Sequence, residues 1–147
     1  LKSNWLILSA SDPRPGDIWR YPYLWHRQSQ AGETEGRKDR PTAIVAAVRN
    51  QNGDLIIALL PITTKRPPAD CAAIEIPPIE ARRAGLATEI PLWVILQEFN
   101  QDTVGASWYL EPDGRMGSIG PAFLARLTRK FLDHLKNRTT LAIRRTD

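Results

Sequence analysis

The sequence predicts an α+β domain, mainly β, in which a small barrel is followed by a C-terminal helix. Three observations lead there. Two near-continuous apolar runs, residues 42–48 and 55–60, flank Asn50-Gln51-Asn52-Gly53 and read as a β-hairpin. Further short apolar or aromatic segments, punctuated by proline and glycine, surround that hairpin. Beyond residue 120 the apolar spacing changes to that of a helix, with Leu124, Leu127, Phe131 and Leu135 on one face. Because the hairpin runs hardly alternate, both of their faces should be covered, as in a small barrel.

In chain order, residues 1–12 read as an N-terminal extension whose sticky part is Trp5-Leu6-Ile7-Leu8, residues 13–136 as the domain, and residues 137–147 as a fraying basic tail. Pro13-Arg14-Pro15-Gly16-Asp17 makes a rigid turn into a first strand, Ile18-Trp19-Arg20-Tyr21, rich in aromatic and β-branched side chains. Pro22 should end its pairing, and Tyr23-Leu24-Trp25 extends the aromatic surface. Residues 26–39 show no apolar period and read as a long surface loop. After the hairpin, Pro61 should interrupt the second strand and push Thr63 and Thr64 to a rim. Residues 72–76 read as a short strand, 79–85 as a helical turn ending at Gly85, and 92–96 as a strong strand. The polar residues 97–102 follow, then a possible strand at Trp108-Tyr109-Leu110. Pro121 suits the first turn of the terminal helix, which should run to about Lys136.

A chain of 147 residues with 42% hydrophobic and 24% charged content is long enough for one folded domain with a core of its own. Its 20 Lys+Arg against 16 Asp+Glu, net +4 with a pI near 9.6, lean toward an anionic partner such as nucleic acid. One cysteine, Cys71, excludes an internal disulfide and a Cys-based zinc site. No apolar run is of membrane-spanning length and no signal peptide is convincing, so a cytoplasmic location is the default expectation. The two histidines, His26 and His134, have no metal-ligand spacing, and neither GxSxG nor a Gly-rich phosphate loop occurs. The expected chemistry therefore uses no metal and no cofactor.

The chemistry-bearing residues collect at one end of the hairpin. Arg37-Lys38-Asp39-Arg40-Pro41 precedes the first strand, and Thr63-Thr64-Lys65-Arg66 follows the second. Antiparallel pairing sets the start of one strand beside the end of the next, so Arg40 and Thr63 should be neighbours. A guanidinium fork beside a hydroxyl can hold a phosphate. RNA is cleaved without a metal because its own 2′-hydroxyl is the nucleophile; a protein need only orient that group, move protons and stabilise charge. Arg40 fits the charge-stabilising role. For the proton acceptor, Glu35, Asp39, Glu98 and Asp102 all stay open, and any single one reads more readily as a surface ion-pair partner of Arg37 or Lys38.

Three segments in order, Pro15-Gly16-Asp17-Ile18-Trp19, the Glu35-Gly36 loop ending in Arg40-Pro41, and Leu60-Pro61-Ile62-Thr63, resemble the MazF/PemK family of toxins from bacterial type II toxin–antitoxin modules. The resemblance spans roughly residues 14–135 and is clearest up to Thr64. It implies an SH3-like (CcdB/PemK-type) barrel, usually a homodimer, acting as a metal-independent endoribonuclease on single-stranded RNA and inhibited by a cognate antitoxin protein. By position, Arg40 corresponds to the family's acid/base and phosphate-binding arginine. Thr63 corresponds to the assisting hydroxyl, Thr34-Glu35 to the loop position of Ser-Glu or His-Glu, and Asp17 to the opening turn. On this reading Arg40, Thr63 and Glu35 are catalytic. Arg37, Lys38, Thr34, Thr64, Lys65 and Arg66 bind RNA, and Tyr23 or Trp25 stacks a base.

One segment departs from the family. Where members usually carry Gln-x-Arg, this chain has Gln97-Glu98-Phe99-Asn100-Gln101-Asp102, without arginine. That departure favours a rival reading, a non-catalytic, protein-binding toxin like the gyrase poisons that share the barrel; a degenerate relative that binds RNA without cutting it is a third.

Overall fold

The structure, a computed structural model, describes residues 12–36, 38–107 and 109–146. Its elements are β1 Asp17–Tyr21, α1 His26–Gln30, β2 Arg40–Arg49, β3 Leu55–Thr63, β4 Ala73–Glu75, α2 Pro78–Arg83, β5 Trp93–Ile95, β6 Glu98–Thr103, β7 Arg115–Ser118, α3 Pro121–Lys136 and β8 Leu141–Arg144. The protein is α+β and mainly β. Eight strands form one branched sheet in the order β4-β5-β3-β2-β1-β7, with β6 also paired to β3 and β8 paired to β6. All pairings are antiparallel except β6 with β8, which is parallel. Among the described residues no helix is long and apolar enough to cross a membrane.

The hairpin is the centre of the sheet, and both of its faces are covered. Alternate residues feed two separate cores. Ile18, Ala43, Leu60 and Ile62 join Val94, Phe99 and the inner face of α3, where Phe123, Leu127 and Phe131 pack. Trp19, Tyr21, Ile44, Ile57 and Leu59 form the opposite core with Tyr23. Of the stripe read from the sequence, Leu127 and Phe131 are buried and Leu124 is partly so, whereas Leu135 is exposed and Phe123 packs inward instead; Phe131 lies edge-on to Phe99 at 5.0 Å. Gly16, at φ +97°, makes the turn into β1 in the left-handed region that an L side chain rarely adopts. Asp17, buried at the start of β1, accepts from Ser118 Oγ and from Arg115 Nη2, each at 2.9 Å, and so ties β1 to β7.

The sheet is not closed into a barrel. The end strands β4, β7 and β8 each pair on one side alone among the described residues. Covering both hairpin faces takes two cores, α3 on one side and a cluster of aromatics on the other, and does not require closure.

Several local expectations are also revised. Residues 26–30 form the short helix α1 inside the segment read as loop; Gln28, buried there, accepts the Trp25 N–H through Oε1 at 3.1 Å. Pro61 does not interrupt β3, which pairs from Leu55 to Thr63. Across Leu60 and Pro61 the outer neighbour of β3 changes from β6 to β5, so a missing N–H falls at a gap in that ladder. The polar residues 98–103 are strand β6, and the basic tail contains strand β8. Tyr109 and Leu110 are not a strand: both backbone N–H groups donate to Ser107 Oγ, at 3.0 and 3.1 Å, which makes a turn. Trp108, Arg37 and residues 1–11 of the extension lie outside the described residues.

Gly117 in β7 marks a close approach. A Cβ there would meet the Ala84 backbone at 2.6 Å, just after α2. Gly117→Ala is expected to lower stability by about 2 kcal/mol, because backbone cannot yield as a side chain can. Urea denaturation checks it; an unchanged midpoint would mean that α2 is free to shift.

Candidate nucleic-acid groove

The pairing register brings Arg40 to Thr63. Tyr21 faces Arg40 across β1 and β2, and Thr42 faces Pro61 across β2 and β3. Continued two residues past that last pair, the same antiparallel register leads to Arg40 and Thr63. Both line one open groove of about 690 Å³ at the end of the hairpin. Its cations come from four places: Arg27 of α1, Lys38 before β2, Arg40 of β2, and Lys65 and Arg66 after β3. Glu98, at the start of β6, is the one carboxylate that lines it among the described residues. Cys71 and Gln97 also line it.

Trp25 organises the cationic side. The guanidinium carbons of Arg27 and Arg40 each lie 5.1 Å from its ring centroid, within cation–π range. The ring in turn packs edge-on against Tyr23 at 5.1 Å. Arg40 is half-buried, and its Nε–H is a buried donor with no partner among the described residues. Burial, and then the nearby charge of Arg27, pull its pKa below the usual arginine value. Such a guanidinium is poorly solvated and short of hydrogen bonds, and a phosphoryl oxygen would supply both charge and acceptors.

Thr63 is half-buried at the rim. Its Oγ1 accepts the Lys65 N–H at 3.1 Å, which turns the chain out of β3 and leaves the hydroxyl proton free to donate. Glu98 is only 9% exposed. Its Oε1 accepts both the His26 backbone N–H, at 2.8 Å, and the Tyr23 hydroxyl, at 3.1 Å. The carboxylate thereby holds the start of α1, and with it Trp25 and Arg27, against β6. The Cys71 thiol is held above its ordinary pKa by burial first, then by the charges of Asp70 and Glu98, and so stays a neutral thiol.

Of the residues expected at the site, the groove unites Arg40, Thr63, Lys38, Thr64, Lys65, Arg66 and Trp25. Others stand elsewhere. Glu35 is exposed and lines a different depression, with Pro22, Gly36 and Tyr109. Thr34 does not line the groove; it is exposed, and its carbonyl accepts the Tyr109 hydroxyl at 3.3 Å. Tyr23 is 1% exposed with its hydroxyl engaged, so its ring cannot stack on a base. Asp39 is exposed and does not line the groove. Asp102 is fully buried, accepting from the Tyr21 hydroxyl at 2.6 Å and from Ser107 Oγ at 2.5 Å. Arg27, Gln97 and Cys71 were not anticipated from sequence; the Trp25-x-Arg27 spacing was the available signal for the first. Among the described residues no three His, Cys, Asp or Glu side chains converge as a metal site would need.

No family model matches the chain, and no curated protein is significantly similar to it.

Proposed function

We propose that the protein is a metal-independent endoribonuclease that cuts single-stranded RNA in this groove, as the toxin of a type II toxin–antitoxin pair. The observation that carries the reading is the meeting of Arg40 and Thr63 in a groove lined by five cations and a half-exposed tryptophan. Arg40 would hold the scissile phosphate and stabilise the charge that grows on it, with Thr63 donating to the same oxygens. Lys38, Lys65 and Arg66 track the flanking phosphates, and Trp25 offers a stacking face. The SH3-like, MazF/PemK-type kinship, the homodimer, the cognate antitoxin and the cytoplasmic location belong to the same proposal and rest on the sequence motifs.

The test is cleavage of mixed-sequence transcripts in EDTA. Wild type is expected to cut, and Arg40→Ala to cut at least about 100-fold more slowly, the usual cost of a lost transition-state donor. Equal cleavage by both, or none by wild type, overturns the reading. A specific observation keeps a second reading in play: the segment where relatives of the MazF type carry an arginine is here locked into the core as β6, while Leu132 and Leu135 stand exposed on α3. Growth inhibition that survives Arg40→Ala would favour a protein-binding toxin. Salt-sensitive RNA binding without cleavage would favour an RNA-binding relative.

A further inference from the structure

Four carboxylates could accept the proton from the attacking 2′-hydroxyl as far as the sequence goes, and the groove separates them. Asp102 is sealed in the core and saturated by donors; Glu35 faces a different depression; Asp39 is exposed away from the lining. Among the described residues, Glu98 alone of the four lines the groove that holds Arg40 and Thr63. Its two oxygens are differently placed. Oε1 holds the His26 N–H and the Tyr23 hydroxyl, which fixes the carboxylate plane. Oε2 has no hydrogen-bond partner among the described residues and is not a sealed, orphaned atom. A carboxylate anchored through one oxygen, with the other unbonded, on a residue that lines the same groove as the cationic phosphate clamp, meets the requirements of a general base.

We propose that Glu98 is the proton acceptor of this site, an inference that rests on the endoribonuclease reading above. The 2′-hydroxyl proton passes to Glu98 Oε2 as the 2′-oxygen bonds to phosphorus. The bond from phosphorus to the 5′-oxygen breaks, and that oxygen takes a proton from water. The products are a 2′,3′-cyclic phosphate and a 5′-hydroxyl, and Glu98 returns its proton to solvent. Arg40 and Thr63 neutralise charge on the non-bridging oxygens throughout. The segment that lacks the expected arginine thus supplies the base in its place.

Glu98→Gln tests this, because the amide oxygen can accept the same two hydrogen bonds while the side chain can no longer take a proton. Cleavage of a transcript that wild type cuts is compared with binding of a 2′-O-methyl oligonucleotide of the same sequence, which cannot be cut, and with thermal unfolding. The expected result is a loss of at least about 100-fold in cleavage rate, with binding and melting unchanged. Cleavage within a few-fold of wild type overturns the assignment and leaves the endoribonuclease reading standing. Loss of binding or of the fold together with cleavage makes Glu98 a scaffold group and overturns it as well. If wild type cuts no transcript, both readings fall together.

Discussion

Arg145→Ala is expected to cost about 4 kcal/mol of folding stability. Its guanidinium is buried and ties the segment before α1 and the loop before β2 to β6. Nη1 donates to the Pro22 carbonyl at 2.7 Å and to Asn100 Oδ1 at 3.0 Å. Nη2 reaches the Thr34 carbonyl at 3.5 Å. The Tyr109 and Tyr21 rings lie 3.9 and 5.3 Å from its Cζ. Removing it leaves the part-buried Pro22 carbonyl and the buried Asn100 amide oxygen without that donor, a heavier loss than the bonds are worth net. Asn100 is fully buried and also brackets Leu24, accepting its N–H at 2.9 Å and donating to its carbonyl at 2.8 Å. The segment before α1 and the loop before β2 both hang on this point, so the loss should reach the groove. Arg145→Lys is expected to recover little of the loss, since a point charge cannot reproduce the fork. Urea denaturation measures it; a loss below about 1 kcal/mol would mean that water replaces the guanidinium at both carbonyls.

The same residues explain what could and could not be read ahead of the structure. The hairpin and α3 were legible because their apolar spacing is local and strong, and the Arg40–Thr63 juxtaposition followed from the hairpin alone. β6 was not legible: Glu98, Asn100 and Asp102 look like a solvated stretch, yet all three are buried because their partners are Tyr23, Leu24 and Tyr21, more than seventy residues away. A polar strand of this kind is stable only when distant donors arrive in register, and nothing in its own composition reports them. β8 is hidden for a related reason. Residues 141–144 are short and sit between basic residues, and their strand exists because β6 offers a parallel edge. At the site, Glu35 was displaced from the groove because the loop that carries it is drawn toward Arg145 and Tyr109 through the Thr34 carbonyl. Such a tether has no signature in sequence.

Alkaline pH is expected to destabilise the protein steeply, through the two buried tyrosines that fasten β1 and its extension to β6. Tyr21 donates to Asp102 Oδ2 at 2.6 Å and Tyr23 to Glu98 Oε1 at 3.1 Å. Burial first, and then the charge of the neighbouring carboxylate, raise both phenols well above the ordinary tyrosine value of 10.0. In the unfolded chain each ionises near its ordinary value, so below about pH 10 the two states bind equal protons and stability is flat. Above it the unfolded state has released protons that the folded state keeps, and stability falls. The slope is about 1.4 kcal/mol per pH unit for each phenol, so the pair removes about 5 kcal/mol two units higher. Denaturation midpoints followed upward from neutral pH measure the slope, and phenolate absorbance shows whether these tyrosines ionise only as the fold is lost. Tyr21→Phe should be less stable at neutral pH by about 1–2 kcal/mol, because Asp102 loses a donor, yet lose stability with pH about half as steeply from this source. Parallel curves for wild type and Tyr21→Phe would show that the phenol ionises within the folded state. The β1–β6 fastening would then not depend on its proton.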